Sequence, residues 1–149
     1  MKAEDVLQLE KELSFETFDN EDVYNIAGNI VKRIKDEKIK NIRMRVILNN
    51  ELVYQYLMNG KKGEYWLNRK QNTIEKYGHS GYYMFLENEE NGTYKEIEED
   101  ENYVLCGGAF PIIVKGKMIG CFIVSGLAHE EDHQLIVDAL KEYKERIEK

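Results

Sequence analysis

Residues 129 to 133 of this chain read His-Glu-Glu-Asp-His. Letter for letter that is H-E-x-x-H, two imidazoles one helical turn apart with a glutamate beside the first, the pattern by which zinc proteases hold their metal. Such a site needs both histidines inside a helix and a third ligand from elsewhere. Here Ser125-Gly126-Leu127-Ala128 leaves a strand-like run, so His129 falls at or before the first helical turn. Glu130, Glu131 and Asp132 suit that place without any metal, because negative charge stabilises the positive end of a helix dipole. The expectation is no zinc at His129 and His133.

A second constellation is spread along the chain. His79-Ser80 falls in a turn between two helices, and His133 stands three residues before Ile136 on an apolar stripe. If both point to one end of a sheet, they line a pocket with Tyr83 and the backbone of Gly107-Gly108, where adjacent glycines permit close approach to an anionic group. The structural alternative is that Ser80 caps the helix after it, the imidazoles satisfy carbonyls, and Gly-Gly is a bulge. Arg69-Lys70 is either a solvated helix face or a carboxylate-binding pair. A neutral imidazole at His79 or His133 is also the ordinary axial ligand of haem. No Ser-His-Asp order and no phosphate-loop signature is legible.

These residues need elements to hold them. Residues 3–13 form a short helix with Val6, Leu9 and Leu13 on one side. Asp19 caps a second helix whose Val23, Ala27, Ile30 and Ile34 recur at helical spacing, with Phe18 and Val23 placed as a hydrophobic staple. The period then falls to two: Ile42, Met44, Val46 and Leu48 alternate with arginines, turn at Asn49-Asn50, and return through Leu52, Tyr54 and Tyr56 as a hairpin. A helix follows over about residues 64–77, then a short one after Gly78. The acidic stretch 87–102 reads as a solvated excursion with a turn at Asn91-Gly92. A second hairpin folds around Lys115-Gly116, and a last helix from Asp132 to Ile147 carries Ile136, Leu140, Tyr143 and Ile147. The order predicts an α+β domain with a mainly antiparallel sheet covered by helices, about five-stranded if one more strand lies near Val104.

Length and charge narrow the functions. The chain has 149 residues, enough for one domain with a real core. Its net charge of −7 opposes non-specific binding to nucleic acid or to an anionic membrane. Its longest nearly apolar stretch, residues 119–128, is too short to span a bilayer. The acidic N-terminus lacks an apolar signal core, so the expected location is cytoplasmic and Cys106 and Cys121 are expected as free thiols. Ten tyrosines, five phenylalanines and one tryptophan exceed what a thin sandwich buries, which favours a homo-oligomer.

The runs Tyr77-Gly-His-Ser-Gly-Tyr-Tyr-Met84, Gly107-Gly-Ala-Phe-Pro111, Val124-Ser-Gly-Leu127 and Glu130-Glu-Asp-His133 resemble the haem-degrading-domain superfamily of GlcG and HbpS, in its small uncharacterised branch. Upstream, Phe18-Asp19 and the Arg69-Lys70-Gln71-Asn72 helix match as well, so the resemblance covers roughly residues 15–141. Gly81 and Ala109 depart from the pattern, and His129 occupies a variable position. The resemblance implies a profilin-like α-β-α sandwich over one domain, 1–149, with 1–14 as a helical extension, and ring- or cage-like homo-oligomers. It directs the expected pocket to His79 and His133 and away from His129. Three functions remain open at this point: a non-catalytic small-ligand or interaction module, a haem-binding or haem-degrading protein, and another enzyme using the His79/His133 pocket.

Overall fold

A computed structural model describes residues 1–148. Helix α1 covers Ala3–Glu12 and α2 covers Asn20–Asp36. Strands β1 (Arg43–Leu48) and β2 (Glu51–Leu57) precede helices α3 (Glu64–Tyr77) and α4 (Gly81–Asn91). A 3₁₀ turn at Lys95–Ile97 leads on to β3 (Ala109–Val114), β4 (Lys117–Ser125) and α5 (His129–Ile147).

Local chemistry accounts for the boundaries. The Asp19 carboxylate accepts from the Asp22 N–H while Asp22 accepts from the Asp19 N–H, a reciprocal cap at the start of α2. Asn49 and Asn50 both take positive φ, 52° and 67°, as a two-residue hairpin turn with the right twist requires. Lys115 and Gly116 do the same between β3 and β4. The last helix begins at His129, three residues before the expected Asp132, so Glu130, Glu131 and Asp132 fill its first turn as their charge suits, and its buried stripe stops at Tyr143, leaving Ile147 exposed.

The sheet has four strands in the order β2-β1-β4-β3, every neighbouring pair antiparallel. The fifth strand expected near Val104 is absent among the described residues. The Val104 N–H donates to the Thr73 hydroxyl at 3.0 Å, so it is tied to α3 and not to a strand. The acidic stretch is also more structured than its composition suggests: its first residues continue α4 to Asn91, and Ile97 is buried.

Alternation in β4 divides the core. Phe122 and Val124 pack with Met44, Val46, Phe110 and the apolar stripes of α2 and α5. Cys121 and Ile123 face the other way, onto Leu67 and Ile74 of α3. The result is an α/β/α sandwich with α2 and α5 on one face and α3 on the other. Helix α1 packs against α4 and β3, and the Phe15 N–H donates to the Ile113 carbonyl at β3's outer edge. Cys106 and Cys121 are free thiols, one half-buried and one buried.

Candidate functional site at the end of the sheet

Because β1 and β3 both run antiparallel to β4, their first residues meet β4's last ones at one end of the sheet, where α5 begins. A pocket of about 400 Å³ opens there. Arg43, Trp66, Lys70, Val104, Cys106, Ser125, Leu127, His129 and Asp132 line it.

Its floor is an ion pair taken out of water. Lys70 is 3% exposed and Asp132 2%, and the Lys70 Nζ donates to Asp132 Oδ2 at 3.1 Å and to the Val124 carbonyl at 2.8 Å. The other Asp132 oxygen accepts from the Leu127 N–H at 3.0 Å, which secures the turn into α5. Burial pushes the Asp132 carboxyl up to about 6, against the pull of the Lys70 ammonium and the Leu127 N–H. Lys70 reaches this place because Gly108 has no side chain: a Cβ there would collide with Lys70 Nζ and the Val124 carbonyl, and its φ of +115° suits glycine alone. With Arg43 on the rim, the lining carries two fixed cations against the one Asp132 anion.

The three histidines have different environments. His129 Nδ1 accepts from the Gly107 N–H at 2.9 Å, which leaves the proton of the neutral ring on Nε2, 2.6 Å from a Glu130 oxygen. His133, one turn on, is 2% exposed, and neither ring nitrogen has a hydrogen-bond partner among the described residues. Tyr82 and Phe110 enclose it at centroid distances of 4.8 and 5.9 Å. Burial, helped by His129 nearby, holds its pKa down to about 4. His79 belongs to a separate cleft beside α1, lined by Leu7, Glu10, Gly78 and Met118. Its Nδ1 lies 3.0 Å from Glu10 Oε1, and this hydrogen bond raises its pKa.

The residues anticipated from sequence therefore fall into two groups. Lys70 lines the sheet-end pocket, and behind the lining Gly108 packs against Lys70 and Asp132 and Gly107 against His129 and His133. His79, Ser80 and Tyr83 gather at the α1 cleft: Ser80 caps α4 by accepting from the Tyr83 N–H, the Ser80 N–H donates to Glu10, and the His79 and Tyr83 rings lie 4.9 Å apart. Neither cleft contains both His79 and His133. Arg69 lies across the Tyr65 and Trp66 rings and donates to the Glu101 carbonyl. Asp132, His129, Arg43, Trp66 and Cys106 line the pocket without having been singled out for it. Asp132 had a legible signal, since it stands in the same short word as His133; Arg43 had none.

Among the described residues no three His, Cys, Asp or Glu side chains are grouped to hold a metal ion, and no helix is long and apolar enough to cross a membrane. An antiparallel sheet between helical layers, with a largely apolar pocket over a buried ion pair where the last helix starts, is the architecture of this chain. The family model described as haem degrading protein HbpS-like matches residues 18–141, and the chain belongs to that family. A UPF0303 protein of Psychromonas ingrahamii is 32% identical over 154 aligned residues, covering 98% of this chain and 95% of that one. Among solved structures, the Ybr137w protein superposes with a TM-score of 0.87 at 23% identity, over 100% of this chain and 91% of its own. The PduOC:Heme complex gives 0.67 at 14% identity, over 84% and 94%.

Proposed function

We propose that this chain is a non-catalytic small-ligand-binding module that works as a homo-oligomer and holds a compact organic anion in the sheet-end pocket. One observation carries the reading: a buried lysine ammonium, 3% exposed, lines an open pocket and has committed two of its three N–H groups. The third N–H is a charged donor of the kind that orients a carboxylate. Arg43 adds positive charge at the rim, while Trp66, Val104 and Leu127 supply apolar walls. A volume of about 400 Å³ is at the small end for ligand pockets, which suits a metabolite-sized molecule. The test is thermal denaturation with acetate and benzoate. Either should raise the midpoint, Lys70→Met should abolish the rise, and no rise for any small carboxylate would reject the reading. Tyr24, Tyr65 and Trp66 are exposed aromatic surface that suits subunit contacts, so light scattering should give more than a monomer mass.

The second reading is haem binding. It is supported by the haem complex of PduOC and by the His129 imidazole on the pocket wall. The volume suits one edge of a porphyrin and not its whole disc. Haem titration producing a Soret band that His129→Ala removes would favour this reading over the first.

A further inference from the structure

We propose that the pocket takes up its carboxylate ligand together with one proton from solvent, and that the proton settles on Asp132. The proposal rests on the anion-binding reading above and adds a rule for how that site works. Lys70 is the one cation whose charged end is buried at the pocket floor. Its bond to the Val124 carbonyl is fixed by the sheet, so a carboxylate that accepts the third N–H competes with Asp132 for the charge of the same ammonium, with Arg43 farther out at the rim. Two carboxylates beside one ammonium in a site withdrawn from water repel each other, and the usual relief is that one of them takes a proton.

Asp132 is the group placed to take it. The charged and titratable groups around it are Lys70 from α3, the Cys106 thiol from the loop before β3 and Glu131 from its own helix, with Arg43 from the start of β1 and His129 lining the same pocket. Lys70 is the only cation bonded to it, and Glu131 repels its charge. Once protonated on Oδ2, it keeps the Leu127 N–H on Oδ1, so the turn into α5 holds while the ligand accepts the third Lys70 N–H. Burial has already raised Asp132 to about 6, so at neutral pH the protonated form is only about tenfold disfavoured. The ligand stays an anion, one O–H bond forms on Asp132, and the net charge of the pocket is unchanged by binding.

Calorimetry of benzoate binding to the whole protein tests this, run at pH 7.5 in two buffers of different ionisation enthalpy that are neither carboxylates nor phosphates. The expected result is uptake of about one proton per benzoate, with affinity weakening about tenfold per pH unit above 7 and levelling below 6. In Asp132→Asn the affinity should be flat from pH 6 to 8 and about tenfold tighter at pH 7 than in the parent. Benzoate binding without proton uptake, or an Asp132→Asn protein that keeps the pH dependence, overturns the proposal and leaves the anion site standing. Should Asp132→Asn fail to fold, the proton count on the parent protein decides alone. No binding of benzoate or acetate at any pH from 5 to 8 removes both the site and the proposal.

Discussion

Replacing His133 with phenylalanine should make the protein more stable, and increasingly so as the solution is acidified. The ring is 2% exposed between Tyr82 and Phe110, and both its nitrogens lack partners among the described residues. Phenylalanine keeps a flat ring, somewhat larger than imidazole, in an aromatic setting and removes a buried donor and acceptor. That alone is worth about 1–3 kcal/mol. The pH effect adds to it. Above pH 6.5 the imidazole is neutral in folded and unfolded chains alike and contributes nothing. Between 6.5 and about 4 the unfolded chain binds a proton that the folded one refuses, so stability falls with pH. A pKa lowered from 6.5 to about 4 makes that loss about 3 kcal/mol by pH 4. Asp132 acts oppositely: its folded pKa is raised to about 6, so the folded chain binds the extra proton and gains stability over much the same window. In the parent the two nearly offset each other. In the difference between His133→Phe and parent, Asp132 cancels and the imidazole is isolated. Urea denaturation followed by circular dichroism at pH 7.5, 6, 5 and 4 gives that difference directly. A difference that stays constant across the series would show that burial does not keep the folded imidazole neutral and would refute the argument, whereas a uniform loss at every pH, on top of the expected trend, would report only the larger ring.

Gly108→Ala should cost several kcal/mol, at least about 2, because a Cβ would strike Lys70 Nζ, the Val124 carbonyl and Asp132 at a positive φ; a thermal midpoint within a degree of the parent would contradict the close packing. The His79–Glu10 pair should hold α1 most firmly at low pH: the folded pKa is raised, so its contribution is full below 6.5 and fades as pH climbs through the raised value. Hydrogen exchange in residues 3–12 should therefore quicken at alkaline pH, beyond the intrinsic rate, and His79→Gln should remove that excess. Metal analysis of protein purified without chelators should find far less than one zinc per chain. His129 Nδ1 is occupied by the Gly107 N–H and His133 lies under two aromatic rings, so a zinc content lost on His133→Ala would overturn that assignment.

Much of the fold could be read from local pattern because local physics decides it. The Asn49-Asn50 turn, the Asp19 cap and the apolar stripe of α2 each depend on residues a few positions apart. The extra strand at Val104 failed for the opposite reason: its N–H is claimed by Thr73, thirty-one positions away. The pocket was harder still. Lys70 in isolation is an ordinary helix lysine, and its burial depends on Gly108 and Asp132, which only folding brings to it. Yet it lies between Leu67 and Ile74 at spacings that place all three on the buried side of α3, and that alignment was a usable warning. Asp132 carries the same charge as Glu130 and Glu131 in the first turn of α5, and nothing local marks that it alone of the three turns inward.

The two margins of the sheet are unlike each other. On the β3 side, Pro111 offers no N–H, Phe15 occupies the Ile113 carbonyl, and α1 packs alongside. On the β2 side, Glu51–Leu57 ends the strand order with no strand beyond it among the described residues, its Glu51, Leu52 and Gln55 exposed and the rest half-buried. Any chain that adds to this sheet by strand pairing must therefore do so at β2. Two copies meeting there would use up the open margin of each, and growth would stop at a pair. A sheet open on both sides can stack without end, whereas this one can join hands only once.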